Sequence, residues 1–185
     1  NGIIFGSVVA DNRQLEFGRD QYLHIDTSKM YDESKALFAL DEATGETKWV
    51  YRAEHAIHHN TIAIGGGRVY FIDRPVPPSG RELRHSGKRL AALPNGVLTA
   101  LDAESGEVVY RKRGDIVHGN LIALDAVSGL LVMTYYEAHP ILGLNLPADV
   151  SGRMTCFRAS DGGVLWTADT GLAPSRSEER RVGKE

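Results

Sequence analysis

The chain has 185 residues with 21 basic against 24 acidic, a formal net charge of −3, and is 42% hydrophobic and 24% charged. That balance excludes a disordered tail and a collagen-like chain, no run of ~18 apolar residues could span a membrane, and the charge gives no reason to expect nucleic acid. Glycine, at 20 residues, exceeds the usual ~7% and points to many tight turns, while a lone cysteine, Cys156, excludes an intrachain disulfide and a Cys-rich metal site.

The chain opens on Asn1-Gly2-Ile3, with no initiator methionine and no signal-peptide pattern, and Ile3-Ile4-Phe5 reads as a strand. An inserted loop over about 10–35 leads to LFALDEATGETKW (37–49). Two later stretches line up with this one without gaps, LTALDAESGEVVY (98–110) and MTCFRASDGGVLW (154–166). Glycine recurs at Gly45, Gly106 and Gly162, preceded by Thr44, Ser105 or Asp161 and followed four residues later by Trp49, Tyr110 or Trp166. A hydroxyl or carboxylate that bonds the local backbone, next to a glycine free to take φ > 0, is the chemistry of a tight turn. With strand-like alternation on either side, each stretch reads as a β-hairpin.

A second motif lies between these hairpins. AIHHNTIAI (56–64) matches IVHGNLIAL (116–124), pairing His58 with His118 and Asn60 with Asn120. Each copy is followed by a glycine turn and a strand, GGGRVYFID (65–73) and SGLLVMTYY (128–136). The unit is therefore strand A (about 60–64), B (68–73), an insertion, C (97–102) and D (107–112). The next unit has A at 120–125, B at 130–136, C at 153–158 and D at 163–168. Four antiparallel strands repeated at a period above ~40 residues predict propeller blades, lengthened here by inserted B-to-C loops. The expected organisation is all-β, a propeller fragment of about two and a half four-stranded antiparallel blades. Residues 1–53 form a partial blade. Residues 54–113 form a blade with insertion 74–96, and residues 114–170 a blade with insertion 137–152. Residues 171–185 are read as a non-native tail, because RSEERRVGKE (176–185) resembles a translated sequencing adapter. The natural segment is expected to belong to a longer chain whose other blades are missing.

The hairpin pattern Ala39, Asp41, Thr44, Gly45, Trp49 resembles the repeat of quinoprotein-type, pyrroloquinoline-quinone-like β-propellers. The second copy keeps Ala100, Asp102 and Gly106; the third keeps Gly162 and Trp166 but has Cys156 and Arg158 elsewhere. The resemblance implies that Trp49, Tyr110 and Trp166 dock between blades over the glycine turns Gly45, Gly106 and Gly162, a structural use that suits large rings. It also implies one of two functional classes. One is a non-catalytic binding or scaffold propeller of the bacterial periplasm or cell envelope, with no cofactor. The other is a quinone-dependent dehydrogenase, for which pyrroloquinoline quinone and calcium would be needed. Cys156 stands alone where such dehydrogenases often carry a vicinal cysteine pair, and the haem motif C-x-x-C-H does not occur. The first class is the expectation, with no catalytic residue and no metal ligand assigned.

Other candidates weigh less. His55, His58 and His59 are closely spaced, but Asp115 and Gly119 take two of those places in the other copy. Arg81, Arg84, Lys88 and Arg89 in the second insertion read as a solvated loop rather than an anion site. Gly65-Gly66-Gly67 is a hairpin turn, since no Lys-Ser/Thr and no helix follow. By topology the B-to-C insertions and the D-to-A connections leave on one face. His58, Asn60, His118 and Asn120 are therefore the candidate residues of a binding surface for a protein or small-molecule partner there, with inter-blade hydrogen bonding as their alternative role.

Overall fold

The computed structural model describes residues 2–9, 33–75, 96–113, 121–136 and 152–169. They form eleven antiparallel strands: β1 (Ile3–Val9), β2 (Glu33–Asp41), β3 (Thr47–His58), β4 (Ala63–Gly65), β5 (Arg68–Arg74), β6 (Val97–Asp102), β7 (Val108–Lys112), β8 (Leu121–Asp125), β9 (Leu130–Tyr136), β10 (Gly152–Arg158) and β11 (Val164–Asp169). A short 3₁₀ helix, His59–Thr61, precedes β4. Strands β4-β5-β6-β7 and β8-β9-β10-β11 each follow one another in sheet order, and β1-β2-β3 join the first of these through the pairing of the end of β3 with β5. The fold is all-β and of propeller type.

The hairpin turns follow from local chemistry. Asp41 Oδ1 accepts the amides of Ala43 and Thr44, both at 2.9 Å, and the Thr44 hydroxyl accepts the Glu46 amide. Asp102 accepts Glu104 and Ser105 in the same way, at 3.0 and 2.8 Å. In the third hairpin Arg158 occupies the aspartate position, and Asp161 instead accepts the Gly163 amide at 2.8 Å and the Arg158 guanidinium at 2.7 Å. Gly45, Gly106 and Gly162 have φ of +72°, +74° and +69°, the left-handed region where a Cβ is penalised. The glycine turn expected before 130–136 has the same chemistry, with an aspartate the sequence pattern had not singled out. Asp125 accepts the amides of Val127 and Ser128 in the β8–β9 turn, which Gly129 completes at φ +67°.

These bonds give the turns a pH dependence. The Thr44 amide first of all holds the Asp41 carboxyl below its ordinary range; the Ser105 amide does so for Asp102, the Ser128 hydroxyl for Asp125 and the Gly163 amide for Asp161. A depressed folded pKa means that the ionised form stabilises. The contribution is present above the ordinary carboxylate range and is lost as pH falls through the folded value. The melting midpoint is therefore expected to fall as pH drops below about 4, and Asp102→Asn should flatten that decline while lowering the midpoint at neutral pH. Identical acid profiles for the variant and the parent chain would refute the assignment.

Each hairpin also carries a bulge one residue before its ring. Ala39 pairs with Trp49 but Leu40 with Thr47; Ala100 pairs with Tyr110 but Leu101 with Val108; Cys156 pairs with Trp166 but Phe157 with Val164. The extra residues are Lys48, Val109 and Leu165. A bulge at a fixed position sharpens the local twist and re-aims the next side chain. The residue opposite each ring is small, which accounts for Cys156 in an alanine position. Its thiol is buried, and burial raises its pKa.

The core lies between blades. Leu37, Ala39, Trp49 and Ile57 pack against Val69, Phe71 and Leu101. On the other side Tyr70, Ile72, Leu98 and Ala100 pack against Ile122, Leu131, Met133 and Phe157. β5 is therefore buried on both faces, because each of its faces meets a neighbouring sheet. The outermost strand β11 is exposed along its whole length.

Candidate functional site

Strand register brings the loop attachments to one end of the sheets. Ser34 pairs with Ile57, Ile57 with Asp73, and Asp73 with Val97. Val9 pairs with Ser34 and Tyr136 with Gly152, so the connections 10–32, 76–95 and 137–151 all leave from that end. The connections themselves lie outside the described residues, as do Arg81, Arg84, Lys88, Arg89 and the tail from 170.

The D-to-A connection begins as a continuation of β3. β3 is longer than the hairpin pattern predicts, running to His58, and residues 53–56 stand opposite Lys35 alone in a wide bulge. Asp73, only 4% exposed, holds this bulge: its carboxylate accepts the Glu54 amide at 2.7 Å and the His55 amide at 3.0 Å. Lys35 Nζ donates to the His55 carbonyl at 2.6 Å. Fully buried Ser34 shares a 2.6 Å hydrogen bond with His59 Nε2, and the Thr61 hydroxyl accepts the Ile72 amide at 3.2 Å. Buried polar groups are tolerated when paired, and here the pairing fixes the path of the chain. Strand A is shorter than expected because the 3₁₀ helix occupies 59–61.

Of the sequence candidates, Asn60 is half-buried in this helix, which lies against β8, the innermost strand of the next blade. His58 closes β3; its side chain, and the whole of His118 and Asn120, lie outside the described residues. Ser34, which bonds His59 of the helix, and Asp73, which holds the bulge before it, were missed by the sequence pattern, and His59 was set aside because Gly119 replaces it in the second copy.

The three rings have distinct surroundings. A Cβ on Gly106 would stand 2.5 Å from Trp49 Cγ, and one on Gly162 would stand 2.7 Å from Tyr110 Cε2, so each ring lies on the turn of the following blade. Trp49 Nε1 donates to the Ala103 carbonyl at 3.1 Å, and Lys48 pairs with Glu104 at 2.5 Å. The Tyr110 hydroxyl is buried with no hydrogen-bond partner among the described residues, and burial pushes its pKa well above the ordinary tyrosine value. Trp166 is 46% exposed. Between β1 and β4 an apolar cleft of about 200 Å³ is lined by Phe5, Leu37, Trp49, Ile62, Ile64 and Val69.

A quinone with calcium would need several converging oxygen ligands. The described carboxylates are arranged otherwise. Asp73 engages two amides with its two oxygens, and Asp41, Asp102, Asp125 and Asp161 bond their own turns at the opposite end of the sheets. Among the described residues no group of three or more His, Cys, Asp or Glu could hold a metal ion.

The family model described as outer membrane protein assembly factor BamB matches residues 26–184. The chain belongs to this family of PQQ-like repeat propellers. Solved propellers similar to it include BamB from Moraxella catarrhalis, at 21% identity and a TM-score of 0.44, covering 77% of this chain and 34% of that one. A quinohemoprotein alcohol dehydrogenase from Pseudomonas putida is similar at 16% identity and a TM-score of 0.44, covering 75% and 25%. A europium-containing methanol dehydrogenase follows at 13% and 0.46, covering 74% and 22%. This propeller segment thus spans about a third or less of the length of these structures. No curated protein matches it.

Proposed function

We propose that the chain is part of a non-catalytic propeller of the bacterial cell envelope that binds a partner, a protein before a small molecule, on the face carrying its inserted loops. The observation that carries this reading is the bulge held by Asp73. The polar groups at that end are committed to positioning backbone, which makes a rigid platform from which loops reach a partner. The family description, an outer membrane protein assembly factor, supports the same role. His58, Asn60, His118 and Asn120 contribute to the contact surface.

The test places a photo-crosslinking residue within 74–96 or 137–152 of the full-length protein, with Val127, 99% exposed in a turn at the other end, as control. Discrete adducts from the loop positions and none from Val127 are expected. The double variant His58→Gln/His118→Gln should lose roughly tenfold in adduct yield, a weakening typical of a modest interface contact, with its melting temperature nearly unchanged. Equal adducts at Val127, or a double variant that loses several degrees yet crosslinks normally once folded, would overturn the reading. Dye-linked alcohol oxidation appearing after addition of pyrroloquinoline quinone and calcium would replace it with the dehydrogenase class.

A further inference from the structure

The two internal seams between blades place a ring at the same repeat position but use different chemistry around it. At the first seam the Trp49 indole donates to the Ala103 carbonyl at 3.1 Å. At the second, Tyr110 lies on the Gly162 turn, and its hydroxyl finds no partner among the described residues. The residue at the repeat position of Ala103 is Ala159, which is buried. Its carbonyl is served from elsewhere. Arg68 Nη1 donates to the Ala159 carbonyl at 2.9 Å and to the Ser160 carbonyl at 2.7 Å, so the second blade grips the turn of the third.

Arg68 also occupies a repeat position. It stands opposite Asp102 at the start of β5, as Ile3 stands opposite Asp41 in β1 and Leu130 opposite Arg158 in β9. Ile3 packs on the apolar cluster that contains Trp49, whereas Arg68 is near enough to Tyr110 to interact with it electrostatically. The two positions change together along the chain. Ile3 goes with Trp49 and Leu130 with Trp166, both rings that carry an indole N–H. Arg68 goes with Tyr110, which has none. A buried carbonyl left without a donor costs more than an ordinary hydrogen bond gains, so a tyrosine at this position calls for a donor from another strand.

We propose that Arg68 is the lock of the second seam: it supplies the donor that Tyr110 lacks and holds the turn of the third blade against the second. Its two Nη1 hydrogens go to successive carbonyls, and such charge-assisted bonds are the strong ones. The ends of β5 and β9, from which the connections 76–95 and 137–151 leave, are thereby kept in one arrangement. The inference does not depend on what binds at that end.

The test is a double-mutant cycle on the 185-residue chain, read by urea unfolding and by amide hydrogen exchange at the turns. Arg68→Met keeps the aliphatic stem and removes both donors. Its unfolding equilibrium constant is expected to rise about thirtyfold, the scale for hydrogen bonds made by a charged group. Exchange should quicken more across 158–163 than across 102–107. In a Tyr110→Trp background the indole serves Ala159 as Trp49 serves Ala103, and the same change should then cost only about threefold. If Arg68→Met alone does not fold, Arg68→Lys, with its charge kept and a single carbonyl served, takes its place in the cycle with a smaller loss. Equal losses in the two backgrounds would overturn the proposal, since the ring would then have no part in the need for Arg68. An Arg68→Met chain as stable as the parent, or exchange quickened equally at both turns, would overturn it as well.

Discussion

Gly106→Ala is expected to destabilise the dilute chain by about 2–5 kcal/mol, against about 1–2 kcal/mol for Gly45→Ala. Both glycines sit at nearly the same positive φ, so the strain of placing a Cβ on left-handed backbone is common to both. Only Gly106 lies under a ring, where the new methyl would stand 2.5 Å from Trp49 Cγ and 2.6 Å from Cδ2. Those atoms belong to a rigid, buried indole, so the overlap is relieved only by moving one blade against the next. Urea midpoints with unchanged slopes measure the difference. Equal shifts for the two variants would mean that the ring and turn do not bear on each other.

Trp49→Ala is expected to cost about 3–5 kcal/mol, the range for removing a large buried aromatic side chain. The ring lies on the Gly106 turn, its centroid is 6.0 Å from that of Phe5, and its indole nitrogen donates to the Ala103 carbonyl. Trp49→Phe keeps apolar area and loses the hydrogen bond, so about 1–2 kcal/mol is expected for it. Trp166→Ala in the dilute chain removes a ring that is nearly half exposed and should stay within about 0.5 kcal/mol. Thermal or urea unfolding of the three variants ranks them. A Trp166 variant as damaging as the Trp49 variant would show that the third ring is covered within one chain.

The turns were legible because their bonds close within a few residues. Asp41 and Asp102 reach amides two and three positions on, and only glycine relaxes at the left-handed position that follows. Repetition of that unit three times along the chain, with an aromatic four residues after each glycine, determined the strand order and the propeller class. The same local chemistry at Asp125 shows its limit: a turn motif specifies a hairpin and carries no information on which hairpin of a blade it closes.

What tertiary structure alone decided depends on partners far apart in sequence. The bulge at 53–56 exists because the Asp73 carboxylate, 19 and 18 residues from the amides it accepts, is buried where it must find donors. His59 gains a role through Ser34, 25 residues earlier, and no repeat preserves the pair. β5 became a strand buried on both faces only because sheets stack against it from either side, a property of its neighbours rather than of RVYFIDR itself. The sequence by itself determined hairpins, rings and their period, since these rest on covalent spacing and backbone sterics. Which ring covers which turn, and which carboxylate holds which amide, was decided by packing between blades.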